Sequence, residues 1–192
     1  MRVTYVGELG YELHIPADQA LTVYDQLFEA GEAFGLRNVG LGAMSSLRME
    51  KAYRDYQVDI DNTDTPIDVG LGFAVAWDKP GGFVGREALL ELRKHTPPPR
   101  RMVHVLCLDA EPLLYGHEPL YRGGKLVGHN RFGAYGHTLG GSVGLAMLED
   151  EAGIPAAGLD GDDYEIEIVG KRFPARVSLK PLYDPERARI LA

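Results

Sequence analysis

The chain has 192 residues, of which 45% are hydrophobic and 25% charged, the make-up of a folded domain and not of a disordered tract. Its formal net charge of −8 excludes a nucleic-acid backbone as main partner, because phosphate binding needs a dense basic face. A single cysteine, Cys107, excludes an intrachain disulfide, and no apolar run approaches the ~20 residues that a membrane span requires.

Val3–Gly7 and Tyr11–Ile15 read as short β runs around a Glu8-Leu9-Gly10 turn. A strand at residue three is expected where preceding sequence has been removed or lies in another chain. Pro16-Ala17-Asp18 opens a helix that Asp18 can cap, with Ala20, Val23, Tyr24 and Leu27 at helical spacing and Gly31 and Gly35 at its end. A second helix is predicted over Leu41–Arg54, then a polar loop from Asp59 to Pro66, and a β-like run Phe73–Trp77. Gly85–Lys94 reads as a short helix, and Pro97-Pro98-Pro99 as an extended linker. Beyond it the texture changes to short β runs over 102–108, 125–130, 142–148, 164–169 and 172–179, separated by glycine turns. This predicts an all-β second domain, a small barrel. Cys107, in an apolar alternating run, is expected to be a buried, inert thiol.

Two clusters carry candidate chemistry. Along the first run Glu12 and His14 share one face, opposite Tyr11 and Leu13. Either they form an edge strand in water, or Glu12 is buried and needs paired donors such as a pterin's amino group and ring N–H. In the second helix Arg48 and Glu50 flank the apolar seam. Arg48 could clamp a carboxylate; alternatively Glu50 pairs with Arg54 at i, i+4. The acidic loop Asp59, Asp61, Asn62, Asp64 lacks the central glycine and closing glutamate of a calcium loop. The histidines have no close ligand spacing, so no metal site is expected. The glycines of 133–141 form no phosphate loop.

Three segments together resemble the glycine-cleavage T-protein (aminomethyltransferase) family, above all its branch fused to dimethylglycine and sarcosine dehydrogenases. They are Tyr-Val-Gly-Glu-Leu-Gly-Tyr-Glu-Leu (5–13), Ser-Leu-Arg-Met-Glu-Lys-Ala-Tyr-Arg (46–54), and Asp-Ile-Asp-Asn-Thr-Asp-Thr-Pro (59–66) followed by Gly-Leu-Gly-Phe-Ala-Val (70–75). The resemblance implies an α+β fold, the second part of a folate-binding module over 1–80. A helix and Pro-rich linker over 81–99 then lead to a small β-barrel over 100–192. It implies that Tyr5 and Glu12 contact the pterin of tetrahydrofolate, with Leu13 and His14 beside them. It also puts Arg48 near the folate tail and Phe73 where an aromatic ring stacks on a flat ligand.

The implied activity is capture of a one-carbon unit as methylene-tetrahydrofolate, released by oxidation of dimethylglycine or sarcosine at a flavin. The alternatives are the aminomethyltransferase of glycine cleavage and a non-catalytic folate-binding or scaffolding fragment. No catalytic residue is assigned, because the family's aspartate belongs to a first half with no counterpart here. The FAD, likewise, belongs to an amino-terminal domain absent from this sequence, so the expected partners are folate and that domain or a partner chain. The implied setting is a bacterial cytoplasm or a mitochondrial matrix.

Overall fold

The computed structural model describes residues 4–191. Six antiparallel strands close into a barrel: β1 (Arg100–Cys107), β2 (Pro119–Arg122), β3 (Lys125–Gly136), β4 (Gly141–Glu149), β5 (Gly161–Ile168) and β6 (Lys171–Ser178), in the order β1-β4-β3-β2-β5-β6. The ring is sealed by β1 against β6, with His104 opposite Ser178 and Cys107 opposite Ala175. The expected small barrel is therefore present. β2 is the strand the sequence does not announce, since it is four residues long and begins at Pro119.

Alternation of side chains across β1 and β4 explains the core. Val103, Val105, Cys107, Ala146 and Leu148 point into the barrel, where they meet Leu120, Tyr164, Ile166, Ala175 and Val177. The opposite faces of the same strands carry Met102, Leu106, Val143, Leu145 and Met147, and these are buried as well. They pack against Met49 and Ala52, at the end of helix α2 (Leu41–Glu50), and Val69. Strands covered on both sides read as near-continuous apolar runs, as β4 does from Val143 to Leu148.

The amino-terminal region is less packed. A 3₁₀ turn (Ala17–Gln19) leads into α1 (Ala20–Gly31), and Asp18 makes no side-chain cap bond. A second 3₁₀ turn ends at Gly35, which is left-handed at φ 71°, a conformation glycine adopts without strain. No residue of α1 is buried. In place of the predicted hairpin, residues 5–9 form bends and 12–15 are irregular, with a single bridge position at Tyr11; Val3 lies outside the described residues. Two short strands without further partners are marginal in water. Phe73–Trp77 is likewise no strand, but a 3₁₀ turn (Gly72–Ala74) followed by further turns. Helix α3 (Arg86–Lys94) falls where expected. Among the described residues no helix is long and apolar enough to cross a membrane.

α2 stops four residues earlier than its periodicity predicts. Ala52 is left-handed at φ 53°; its N–H bonds Met49 O, and the N–H of Tyr53 bonds Arg48 O. This pairing is a Schellman termination with alanine where glycine is usual. It turns Tyr53 and Arg54 off the helix axis and dissolves the i, i+4 relation between Glu50 and Arg54.

Candidate functional site

The last turn of α2 carries three charged residues that are each about 1% exposed, Arg48, Glu50 and Lys51. Burying a charge is costly unless it is paired and hydrogen-bonded, and each of the three reaches a different segment. Arg48 donates to the Asp59 carboxylate and to Tyr53 O at 3.0 Å, and its guanidinium lies 5.1 Å from the Phe132 ring centre. Asp59 also accepts the N–H of Asp55 at 2.8 Å. Glu50 accepts the N–H groups of Thr138 and Leu139, at 2.7 and 2.9 Å, in the turn between β3 and β4. Lys51 donates to the backbone oxygen of Asp184 at 2.7 Å and to its carboxylate at 3.1 Å. One helical turn thus fastens the 53–59 loop, the barrel and the carboxy-terminal segment to one another.

That carboxy-terminal segment leaves β6 and returns across α2. The N–H of Leu182 donates to His104 Nδ1 at 3.1 Å, and the Tyr183 hydroxyl donates to Glu8 at 2.5 Å. Asp184, left-handed at φ 45°, accepts the N–H groups of Ala188 and Arg189. Burial acts to raise its carboxyl pKa, but Lys51 and these N–H groups together hold it below the usual carboxylate value. His104 is fully buried; that burial, helped by the nearby Arg54 charge, pushes its imidazole pKa down to about 3. It is a neutral acceptor that pins the segment.

Between these parts lies a cleft of about 660 Å³, within the usual range of ligand sites. Tyr5, Tyr53 and Phe73 line it together with Arg54, the start of β1 at Arg101 and Met102, and the carboxy-terminal segment from Leu179 to Arg187. Tyr5 and Tyr53 lie with ring centres 6.2 Å apart and planes 10° from parallel. Burial raises both phenol pKa values, so both are hydrogen-bond donors at neutral pH. The Tyr5 hydroxyl reaches Arg54 O at 3.4 Å. Arg54 is fixed by the carbonyls of Val69 and Ala52, at 3.0 and 2.6 Å. Gly7 matters here: at φ 80° a Cβ on it would sit 2.1 Å from Lys51 Cγ, so only glycine lets the 4–8 segment lie on α2.

The structure brings Tyr5 and Phe73 of the expected set into one cleft. Glu12, Leu13 and His14 stay outside it, on the stretch that leaves the body of the protein after Glu8. The Glu12 carboxylate is 59% exposed, with His14 Nε2 3.6 Å away. Arg48 also lies outside the lining, behind the wall it braces. Tyr53, Arg54 and Arg187 were not legible as site residues. Helical periodicity carries α2 through 54, and nothing in the spacing marks a segment that returns from the far end of the barrel. The acidic loop is structural: Asp61 bonds Thr63, and Asp64 binds Arg100 at 2.6 Å and Arg131 at 3.4 Å. Among the described residues, no group of three or more His, Cys, Asp or Glu could hold a metal ion.

Comparison with known proteins adds an independent line. Residues 1–79 match the GCVT N-terminal domain, and residues 100–184 match the glycine cleavage T-protein C-terminal barrel domain. The chain is similar to 4-methylaminobutanoate oxidase (formaldehyde-forming) of Paenarthrobacter nicotinovorans, with 46% identity over 99% of this chain and 22% of that protein. It is similar to mitochondrial sarcosine dehydrogenase of Mus musculus, with 36% identity over 99% of this chain and 21% of that one. In structure it resembles glycine cleavage system aminomethyltransferase T from Bartonella henselae, with TM-score 0.76, 28% identity, and 93% and 48% of the two chains covered. The chain thus spans about a fifth of the length of these oxidising relatives and about half of the aminomethyltransferase.

Proposed function

Because this chain belongs to the glycine cleavage T-protein family, we propose that it is the second half of a tetrahydrofolate-binding one-carbon-transfer module attached to an enzyme that oxidises N-methylamines. The observation that carries this reading is the cleft in which Tyr5, Tyr53 and Phe73 converge beside fixed arginines. A flat, reduced heterocycle with a charged tail fits aromatic walls and a cationic surround. The oxidising relatives agree with it in chemistry. Two N-methylamine oxidations appear in their names, one of them formaldehyde-forming, and both leave a one-carbon unit at the formaldehyde level.

Bound tetrahydrofolate would supply the nucleophilic nitrogen that takes up this unit. The chain's residues bind, orient and exclude water. Phe73, 86% exposed on its 3₁₀ turn, offers a free face for stacking. Tyr5 and Tyr53 add a pair of rings already stacked on each other, and Arg54 holds its positive charge at a set place beside them. Glu12, with Leu13 and His14 beside it, enters this reading as a pterin contact on the strength of the family resemblance alone.

Calorimetric titration of the chain with tetrahydrofolate tests the proposal. Phe73→Ala is expected to weaken binding by about 0.5–1.5 kcal/mol, the worth of one aromatic stack. Glu12→Gln is expected to cost roughly 1–3 kcal/mol through a lost charged hydrogen bond. If Phe73→Ala binds as tightly as the wild type, the cleft is not the pterin site; if only Glu12→Gln does, the stretch after Glu8 takes no part.

A further inference from the structure

Neither Glu8 nor Tyr183 lines the cleft, yet the bond between them joins two of the segments that form its wall. Thr4 and Tyr5 belong to one of these segments, Pro181 and Pro185 to the other. The Tyr183 hydroxyl links them by donating to Glu8 Oε1 at 2.5 Å, and the Arg189 side chain hydrogen-bonds the same hydroxyl. The phenol thus stands between a cation and an anion, which makes its bond a charge-assisted one. The bond to Glu8 pushes the phenol pKa up, so the hydroxyl keeps its proton and stays a donor at neutral pH. Tyr183 is the firmly placed partner. Before it in the chain, the N–H of Leu182 donates to His104 Nδ1 in β1 at 3.1 Å; after it, Asp184 is held by Lys51 just past the end of α2. The 4–8 segment has weaker holds. The N–H of Gly7 turns back on Thr4 Oγ1 at 3.1 Å, within the segment itself. The Tyr5 hydroxyl reaches Arg54 O at 3.4 Å, long for a bond between a hydroxyl and a carbonyl. The Tyr5 and Tyr53 ring centres, 6.2 Å apart, lie toward the far end of the range for aromatic pairs. Beyond Glu8 the side chains of Leu9, Tyr11 and Leu13 are exposed.

We propose that Tyr183 is a positioning residue for the cleft: through Glu8 it holds the 4–8 segment, and with it the Tyr5 ring, in the place where a ligand is received. The inference rests on the folate reading for what that ligand is, and on the contacts just described for where Tyr5 stands. Fixing the backbone of a single residue costs about as much as one hydrogen bond returns, so the long Tyr5 bond alone does not order the segment. The added contacts close a circuit. Gly7 lies against the Lys51 stem, Lys51 holds Asp184, and the neighbouring Tyr183 returns its hydroxyl to Glu8, next to Gly7. Each contact restricts the freedom that the next must remove. With the circuit closed, Tyr5 meets the ligand already ordered, and binding does not carry the ordering cost. Without the Tyr183 hydroxyl, Glu8 loses its donor and the ligand itself must order the segment.

Fluorine NMR and titration of the full chain test this together. With fluorotyrosine at position 5, the wild type is expected to resonate away from free fluorotyrosine. Tyr183→Phe removes one oxygen and keeps the ring, and it should move that resonance toward the free position. Tetrahydrofolate affinity of the unlabelled chain should fall roughly three- to tenfold in Tyr183→Phe, between the effect of an exposed ion pair and that of a buried charged hydrogen bond. Glu8→Ala removes the other partner from a half-buried position outside the core and should reproduce both changes. Glu8→Gln keeps an acceptor oxygen but not the charge, so it should fall between Glu8→Ala and the wild type. In a Tyr5→Ala background, the loss caused by Tyr183→Phe should shrink to about twofold or less, because the group it positions is gone. An unmoved resonance in both Tyr183→Phe and Glu8→Ala overturns the inference. So does a moved resonance with unchanged affinity, or a loss that persists in full without Tyr5. A wild type that binds no tetrahydrofolate overturns the folate reading instead, and the resonance alone then decides whether Tyr183 places Tyr5.

Discussion

At the residue scale, His104 is where acid should be felt first. Its ordinary pKa near 6.5 falls to about 3 in the folded protein, through burial and then through the Arg54 charge. The neutral form is the one that folding requires, since Nδ1 must accept from Leu182. The stability it contributes is complete above pH 6.5 and is lost as pH falls from 6.5 toward 3, by about 1.4 kcal/mol for each pH unit. Urea unfolding at pH 7.5, 6.5 and 5.5 measures this slope. His104→Asn keeps an acceptor but does not titrate, so its stability should fall less steeply; identical slopes would clear His104 of the effect. Phe73→Ala is the complement: because the ring is solvated, the thermal midpoint should stay within a degree or so of wild type while ligand affinity drops. Tyr5 and Phe73 could be found from the sequence because the family resemblance marks them. Arg54 and Arg187 could not, because their position depends on a left-handed alanine and on a segment more than a hundred residues away.

At the element scale, α2 is better understood as a joint than as a helix with a binding face. Its apolar periodicity was legible, but its end was not, because alanine at a left-handed position leaves no compositional trace. The buried charges past Leu47 look in sequence like an ordinary solvated turn; only their partners at 59, 138–139 and 184 show otherwise. Arg48→Ala should cost about 3–5 kcal/mol, since it strands Asp59 in the interior. Replacing both partners, Arg48→Met with Asp59→Leu, should recover most of that loss. Chemical denaturation of the two singles and the double closes the cycle, and independent, additive losses would show that the pair is not a unit. The strands, by contrast, were nearly all readable, because β-branched runs between glycine turns are local signals. The amino-terminal hairpin failed for a complementary reason: a strand is defined by its neighbour, and none is present for residues 4–15 among those described.

At the scale of the whole molecule, stability is unevenly shared. The barrel and α2 hold the described core, whereas α1 contributes no buried residue. Leu21, Tyr24 and Leu27 are exposed along α1, and Phe34, Val39 and Leu41 beyond it. Hydrogen exchange should protect β1, β4 and β6 to the level of global unfolding, while amides over 16–40 exchange through local opening. The same apolar surface should drive self-association that grows with concentration in sedimentation; a sharp monomer at every loading would contradict it.

The seam of the barrel has a last consequence. β1 is where the chain enters the ring and β6 is where it leaves, and the two are hydrogen-bonded neighbours. The cleft touches β1 at Arg101 and Met102, and the segment just past the end of β6 at Leu179 and Lys180. An occupant therefore acts as a clasp across the join, opposing the unzipping of the first strand from the last. Occupancy should stabilise the fold by mass action, by about 2.7 kcal/mol at a hundredfold excess over Kd, which raises the melting temperature, and should slow the opening of that join more than any other.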